Sequence, residues 1–355
     1  MASSQIGPLD DQKAWRRITD SRVISRFRFL RSKVILCALT MTMPDAADTT
    51  LALRQVIRPT TVLEPSLLSK HLGVQLTLAS ETFQHTGSFK FRAGWNVARN
   101  VSHPHIIAAS SGNFGQGLAY ACQLAGKRCT VVMPHTSDPA KVQAVRGYGG
   151  TVDLIDVSKI SRKDRVAELA QQHPEAYAAS AYDDLLVIEG NASLGTELAG
   201  LGRAFDCILA PVGGGGLTSG LITGLRACGS STPVMGVEPL LANDAARSLQ
   251  AGYIVTNDHE PQTIADGVRT VSLGHHNWAV LQKGLAGIIE VSEDAIKEGV
   301  RLLFSLANLK AEPTGALGIA ALLTRQDFFR SRAVCCVISG GNVDPKLFGD
   351  LLLKG

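Results

Sequence analysis

Short apolar runs alternate with helix-like stretches over most of this chain, and that alternation constrains the fold more than any other feature. The clearest runs expected to be strands are Val74–Leu78, His105–Ala109, Cys129–Met133, Val152–Ile155, Cys207–Val212, Val234–Val237 and Val334–Ile338. The stretches expected to be helices include Gln116–Leu124, Ala140–Arg146, Arg162–Gln172, Leu217–Ala227 and Glu293–Asn308. Apolar strands that alternate with helices are typical of parallel sheets covered on both faces. Seven or more strands are too many for one compact core. We therefore predict an α/β fold with two parallel-type sheets covered by helices.

The length of the chain predicts how it divides into domains. The sequence has 355 residues, and at about 100–200 residues per domain it should contain about two domains. We predict a small domain, residues 105–184, inserted into a large domain built from residues 46–104 and 185–355. Residues 1–45 differ in composition, because a basic segment precedes a short apolar run. We expect residues 1–45 to form a poorly ordered extension.

The composition excludes several classes of partner. The net charge is +4, and eight of the 35 basic residues precede residue 34. The rest of the chain is therefore close to neutral and offers no basic face to nucleic acid. No apolar run approaches the roughly 20 residues that a membrane-spanning helix needs. Seven cysteines without a CxxC pair favour a reducing compartment, so we predict a cytoplasmic location.

A glycine-rich turn, PVGGGGL at residues 211–217, follows a predicted strand and opens a predicted helix. Consecutive glycines let the backbone turn tightly and aim several N–H groups at one point, beside the positive end of a helix. This pattern favours phosphate binding at Gly213, Gly214, Gly215 and Gly216. The turn is neither a G-x-G-x-x-G dinucleotide motif nor a P-loop. A flexible glycine turn is the alternative interpretation.

A lysine stands at the start of another predicted helix. In the segment QHTGSFKFR, residues 84–92, Lys90 lies between Phe89 and Phe91. An apolar pocket disfavours the charged form of a lysine, so such a residue can act as an amine nucleophile or a Schiff-base partner. The alternative is an ordinary surface lysine.

Two polar turns follow predicted strands. The turn SSGN, residues 110–113, could bind a carboxylate or a ring oxygen, or its serine and asparagine could cap a helix. The turn SGGN, residues 339–342, offers the hydroxyl of Ser339. Ligands of open α/β sheets bind at the carboxyl ends of the strands, so both turns are candidate binding loops.

In their order along the chain, the motifs TGSFK, SSGN, GGGG and SGGN resemble those of fold-type II pyridoxal-phosphate enzymes of the serine/threonine dehydratase and serine racemase family. The resemblance covers about residues 50–350. It implies a tryptophan-synthase-β-like fold, with pyridoxal 5'-phosphate in the interdomain cleft and bound as a Schiff base by Lys90. The cofactor contacts implied by the resemblance are Lys90, Phe89, Asn113, Gly213, Gly214, Gly215, Gly216 and Ser339. The implied substrate contacts are Ser110, Ser111, Gly112 and Asn113, and the implied catalytic residues are Lys90 and Ser111.

The resemblance favours one reaction and leaves others open. The favoured reaction converts L-serine or L-threonine to a 2-oxo acid and ammonia. One alternative is racemisation of serine or another amino acid, with Ser111 as the second acid–base group, and another is dehydration of 3-hydroxyaspartate. A β-replacement synthase of the cysteine-synthase type and a cofactor-binding protein without catalysis are further alternatives. Phe114 stands where relatives commonly have histidine, which leaves the amino-acid substrate open.

A pair of carboxylates indicates a metal site. Glu238 and Asp244 lie six residues apart in a segment that follows a predicted strand. Carboxylate and carbonyl oxygens suit Mg²⁺ or Ca²⁺, whereas a solvated acidic loop is the alternative. Resemblance to metal-dependent members of the family implies that the ligands are Glu238, the carbonyl of Ala242 and Asp244. The same resemblance implies a homodimer that acts on a small amino acid.

Overall fold

The computed structural model describes residues 55–353, apart from Ser111 and Asp138. The extension expected at residues 1–45 lies outside the described residues. The strands of the described part are β1 (Thr61–Leu63), β2 (Gln75–Ser80), β3 (His105–Ala109), β4 (Arg128–Pro134), β5 (Thr151–Ile155), β6 (Ala176–Ala179), β7 (Cys207–Pro211), β8 (Val234–Pro239), β9 (Leu285–Val291) and β10 (Ala333–Ile338). Its helices are α1 (Ser66–Leu72), α2 (Lys90–Asn100), α3 (Asn113–Leu124), α4 (Pro139–Gly147), α5 (Arg162–Gln172), α6 (Leu185–Ala199), α7 (Gly216–Ala227), α8 (Asp244–Ala251), α9 (His275–Gly284), α10 (Glu293–Ala307), α11 (Leu317–Thr324), α12 (Gln326–Phe329) and α13 (Pro345–Leu353). Within residues 55–353, none of the helices combines the length and apolarity needed to cross a membrane.

The strands form two sheets. One sheet has the order β1-β2-β10-β7-β8-β9, and the other has the order β5-β4-β3-β6. The pairs are parallel apart from β1 and β2, which are antiparallel. The predicted α/β fold with two parallel-type sheets is confirmed, and β1 is a short antiparallel edge strand of a kind common on such sheets. The expected division into domains at residues 105 and 184 stays a prediction.

The centre of the six-stranded sheet is buried on both faces. All residues of β7 are buried, and so are all residues of β10 after its first. Burial raises the pKa values of the Cys207 and Cys335 thiols to about 12. These cysteines are therefore protonated at neutral pH and pack as small apolar side chains.

A buried ion cluster fixes the first turn of α2. The guanidinium of Arg92 is fully buried and donates to Glu81 at 2.7 and 2.9 Å and to Glu197 at 2.9 and 3.0 Å. It also donates to Ser193 Oγ at 2.9 Å and to Thr60 Oγ1 at 2.8 Å. Glu81 directly follows β2 and Glu197 lies on α6. The cluster therefore joins the end of a strand to two helices.

We expect Arg92→Leu to lower the free energy of unfolding by about 3–5 kcal/mol, because it leaves the carboxylates of Glu81 and Glu197 without their cation. Urea denaturation followed by circular dichroism measures this change. Arg330→Leu is the matched control, since Arg330 pairs with Asp327 on the surface, where ion pairs contribute little. Equal unfolding free energies for the two variants would contradict a stabilising role of the cluster.

Candidate active site

Three of the polar loops meet at the carboxyl ends of the strands. The backbone N–H of Phe89, the residue before Lys90, donates to the carbonyl of Ser339 at 3.0 Å. Asn342 Nδ2, from the same turn as Ser339, donates to Asn113 Oδ1 at 2.8 Å. The structure therefore brings the lysine motif together with the turns that follow β3 and β10.

The amine of Lys90 lies among aromatic rings and one carbonyl. Its Nζ donates to the carbonyl of Ala181 at 3.0 Å and lies 5.0 Å and 5.8 Å from the ring centres of Phe89 and Phe114. Burial lowers the pKa of Lys90 to about 8, and the negative charge of Glu312 opposes this shift. A fraction of the amine is therefore neutral near neutral pH, and the neutral amine is the nucleophilic form.

Glu312 is a member of this site that sequence reasoning missed. Asn113 Nδ2 lies 2.9 and 3.0 Å from the two carboxylate oxygens of Glu312. Burial raises the pKa of Glu312 to about 8, as does the negative charge of Asp266, whereas the charge of Lys90 opposes the shift. The only sequence signal is a carboxylate inside an apolar stretch before Pro313. The site thus contains a buried acid whose charge interacts with that of the buried amine.

The glycine turn after β7 has the backbone that a turn of this type requires. Gly213 and Gly215 have φ angles of 49° and 96°, in the left-handed region that favours glycine. A Cβ on Gly214 would overlap the ring of Tyr182. Asn277 Nδ2 holds this arrangement by donating to the carbonyls of Gly214 at 2.7 Å and Tyr182 at 2.9 Å. The turn leads directly into α7, whose first N–H groups are suited to an anion.

Two hydroxyls near Lys90 are buried without a hydrogen-bond partner. Ser339 is 1% exposed and Ser88 is fully buried, and the Oγ atom of each has no partner. An unpaired buried hydroxyl is unfavourable. A ligand that forms a hydrogen bond with Ser339 would remove this cost.

In the turn SSGN, Ser110 hydrogen-bonds to backbone N–H groups at the start of a helix. The sequence offered such a role as the alternative to ligand binding. Ser110 Oγ accepts hydrogen bonds from the N–H groups of Gly112 at 3.3 Å and Gly115 at 3.0 Å. It therefore orders the turn at the start of α3. Substrate contacts by Ser110, Gly112 and Asn113 stay predictions. Ser111 lies outside the described residues.

The carboxylates proposed for a metal are both buried. Glu238 Oε2 accepts from the Ala246 N–H at 2.9 Å, and Asp244 Oδ1 accepts from Asn257 Nδ2 at 3.1 Å. The second oxygen of each carboxylate has no partner. Burial raises the pKa of Glu238 well above its usual value, as does the charge of Asp244. Burial raises the pKa of Asp244 to about 6.

The fold and the site together define an α/β enzyme with a buried lysine amine and a glycine turn at its strand ends. The chain belongs to the pyridoxal-phosphate dependent enzyme family, whose model matches residues 53–340. Within this family it is a fold-type II protein, similar to dehydratases and serine racemases. The resemblance inferred from the four motifs is confirmed.

Three comparisons illustrate the similarity. L-threo-3-hydroxyaspartate ammonia-lyase from Pseudomonas sp is 36% identical over 297 residues, which are 82% of this chain and 92% of the relative. Serine racemase from Bos taurus is 32% identical over 312 residues, which are 84% of this chain and 92% of the relative. The solved structure of the T.th. threonine deaminase has 40% identity and a TM-score of 0.80, and the match covers 85% of this chain and 98% of that chain.

The residues at this site fit pyridoxal phosphate, the cofactor of the family. The N–H groups of the glycine turn suit a phosphate, and the amine of Lys90 suits an aldehyde. The unpartnered hydroxyl of Ser339 suits a ring nitrogen that accepts a hydrogen bond. The role of each residue stays a prediction.

We expect Gly214→Ala to weaken cofactor binding about tenfold or more, because the added Cβ overlaps Tyr182 and forces the turn to move. Titration of the apoprotein with pyridoxal phosphate, followed by absorbance, measures the affinity. Gly349→Ala is the matched control, since nothing lies within 4 Å of a Cβ added there. Unchanged affinity in Gly214→Ala would count against a phosphate-binding role for the turn.

Proposed function

We propose that this protein is a pyridoxal-phosphate-dependent ammonia-lyase that converts L-serine or L-threonine to a 2-oxo acid and ammonia. The observation that carries the proposal is the Lys90 amine, which lies where the motif loops meet. Burial lowers the pKa of this amine to about 8. A threonine deaminase and a hydroxyaspartate ammonia-lyase among the similar proteins support an elimination reaction.

Pyridoxal phosphate, when bound, withdraws electrons from the substrate Cα and acidifies its proton. Lys90 is the base that would take this proton, since an amine with a lowered pKa is partly neutral at neutral pH. Ser339 is a neutral partner for the ring nitrogen and cannot stabilise a positive charge there as a carboxylate would. The weaker electron withdrawal favours prompt loss of the β-hydroxyl.

The amide of Asn113 is held from both ends. Its Nδ2 lies within 3.0 Å of Glu312, and its Oδ1 accepts from Asn342 Nδ2. Two partners of opposite hydrogen-bonding character leave the amide one favourable orientation. We propose that this fixed amide contacts the ring hydroxyl of the cofactor, as the family resemblance implies.

Dehydration of 3-hydroxyaspartate is a second candidate. The 36% identical relative is named for that activity, and its substrate carries a second carboxylate that needs a cation. Lys141 on α4 pairs with Asp266 at 2.7 Å, and the charges of both affect the pKa of Glu312 in the site. A substrate carboxylate that replaces Asp266 as the partner of Lys141 would account for such a preference.

Racemisation is the third candidate, and the similarity to serine racemase supports it. It requires an acid–base group on the cofactor face opposite Lys90. Ser111 is our proposal for this group, and it rests on the family resemblance alone. A β-replacement synthase and a cofactor-binding protein without catalysis stay as the remaining alternatives.

We expect the holoenzyme, tested with a panel of L- and D-amino acids, to release 2-oxo acid and ammonia from a β-hydroxy amino acid. Borohydride should fix the cofactor on the peptide that contains Lys90. Lys90→Ala should lose this adduct and about a thousandfold or more of the turnover, because it removes both the covalent partner and the base. Lys70→Ala, which changes an exposed lysine of α1, is the matched control.

The products distinguish the candidates. A racemase would form D-serine from L-serine. Ser111→Ala should then abolish this reaction and leave elimination unchanged. Turnover only with an added thiol would indicate β-replacement, and turnover of no amino acid would indicate a carrier protein. A labelled peptide that lacks Lys90 would contradict the whole proposal.

We also propose that Glu238, the carbonyl of Ala242 and Asp244 bind Mg²⁺ or Ca²⁺. The support is that both carboxylates are buried and each keeps one oxygen without a partner. Two buried like charges repel, and a divalent cation would remove the repulsion. Oxygen ligands of this kind suit Mg²⁺ or Ca²⁺.

We expect EDTA to lower activity and melting temperature, and Mg²⁺ or Ca²⁺ to restore both. Without a cation, the folded state holds the proton of Asp244 more tightly than the unfolded state, because burial raises its pKa to about 6. Stability should therefore fall as the pH rises from about 4 to about 6, measured as the melting temperature. Asp244→Asn should weaken the response to chelation and the pH dependence of the melting temperature. Asp327→Asn, at an exposed aspartate, should change neither. A melting temperature that does not change with EDTA or with added cations would contradict the proposed metal site.

A homodimer and a cytoplasmic location complete the proposal. Both rest on the sequence. The dimer rests on the family resemblance, and the location rests on seven cysteines without a CxxC pair. In the described residues the cysteines Cys122, Cys129, Cys207, Cys228, Cys335 and Cys336 are free.

A further inference from the structure

A second cluster of metal-ligating side chains lies in the four-stranded sheet, at the amino ends of β3 and β6. Ligand atoms of His105, His173 and Glu175 all lie within 4.8 Å of one another. His105 is the first residue of β3, whereas the SSGN turn follows its last residue, Ala109. At about 3.3 Å per residue, the length of the strand separates the cluster from that turn by about 13 Å. The cluster is therefore distinct from the candidate active site. It is also distinct from the Glu238 pair, because Glu238 lies in β8 of the six-stranded sheet.

The backbone places these side chains together. His173 directly follows α5, and its carbonyl accepts a hydrogen bond from the Ala176 N–H at 2.8 Å, which closes a tight turn. Ala176 begins β6 and pairs with His105 in the sheet. His173 and Glu175 therefore lie beside His105 as soon as β3 and β6 pair.

His105 offers one nitrogen without a partner. The residue is 4% exposed, and its Nε2 lies 2.8 Å from Thr130 Oγ1, whereas its Nδ1 is buried and has no partner. With the proton on Nε2 shared with Thr130, Nδ1 keeps its lone pair. Outer hydrogen bonds of this kind orient histidine ligands of metals.

Arg128 competes for the carboxylate of the cluster. Its guanidinium donates to Glu175 Oε1 at 2.7 Å, and His173 Nδ1 lies 3.7 Å from the same oxygen. The side chains of Arg128 and Glu175 are 62% and 40% exposed, and exposed ion pairs contribute little to stability. Arg128 can therefore move into solvent when a stronger cation reaches Glu175.

We propose that His105, His173 and Glu175 bind a divalent transition metal of the Zn²⁺ type, with water as the fourth ligand. Two imidazole nitrogens and one carboxylate oxygen suit Zn²⁺, whereas Mg²⁺ and Ca²⁺ take oxygen ligands. The ion would link the turn between α5 and β6 to the first residue of β3. Its effect is therefore on the stability of the four-stranded sheet.

The test is a calorimetric titration of the holoenzyme with Zn²⁺, repeated with Co²⁺ as a visible probe, in excess Mg²⁺ to fill oxygen-ligand sites. The wild type should bind the metal and melt at a higher temperature when it is bound. His173→Ala should bind about tenfold or more weakly. His71→Ala, which removes an exposed imidazole from α1, should bind as the wild type does. Glu175→Gln replaces His173→Ala if the latter does not fold.

Arg128→Gln gives a result of the opposite sign. Removal of the competing cation should tighten Zn²⁺ binding, which damage to the fold would not do. Absence of Zn²⁺ binding by the wild type, or equal affinity in the wild type and His173→Ala, would overturn the proposal. Weaker binding by Arg128→Gln would overturn the assignment of Glu175 as a ligand.

Discussion

The placement of the candidate active site depends on a buried arginine. Each nitrogen of the Arg92 guanidinium has a partner, and the two carboxylates it contacts come from the end of β2 and from α6. Buried charges of this kind are tolerated only when their hydrogen bonds are complete. The requirement fixes the first turn of α2 relative to both elements. Lys90 lies in that turn, so the ion cluster also sets the position of its buried amine.

A second constraint links the small sheet to the glycine turn. The carbonyl of Ala181, after β6, accepts from the amine of Lys90, and Tyr182 lies against Gly214. Asp183 accepts hydrogen bonds from the first two N–H groups of α9 at 3.0 and 2.9 Å. Three consecutive residues thus contact the amine, the glycine turn and a helix start. The loop after β6 has no glycine motif, yet much of the site's geometry depends on its backbone.

The sequence predicted several elements from their local signal, whereas β1, β6 and β9 were not among the predicted strands. The bounds of β3 and α5 were predicted without error, because an apolar run and a helical period identify them. The strand Ala176–Ala179 was missed, since alanines have weak strand propensity and only pairing with β3 makes this segment a strand. The four motif loops were found because their residues are contiguous. Glu312 was missed because its partner Asn113 lies 199 positions away.

The chemistry of the site follows from burial acting on two groups in opposite directions. Burial lowers the pKa of Lys90 to about 8 and raises that of Glu312 to about 8, while the attraction between the two opposes both shifts. In a buried site a neutral amine beside a neutral acid competes closely with the ion pair, because low polarity disfavours both charged forms. The amine is therefore partly neutral near neutral pH, although the charge of Glu312 favours its protonated form. A motif identifies Lys90, but the burial that lowers the pKa of its amine and the carboxylate of Glu312 that opposes this shift both come from the packed structure.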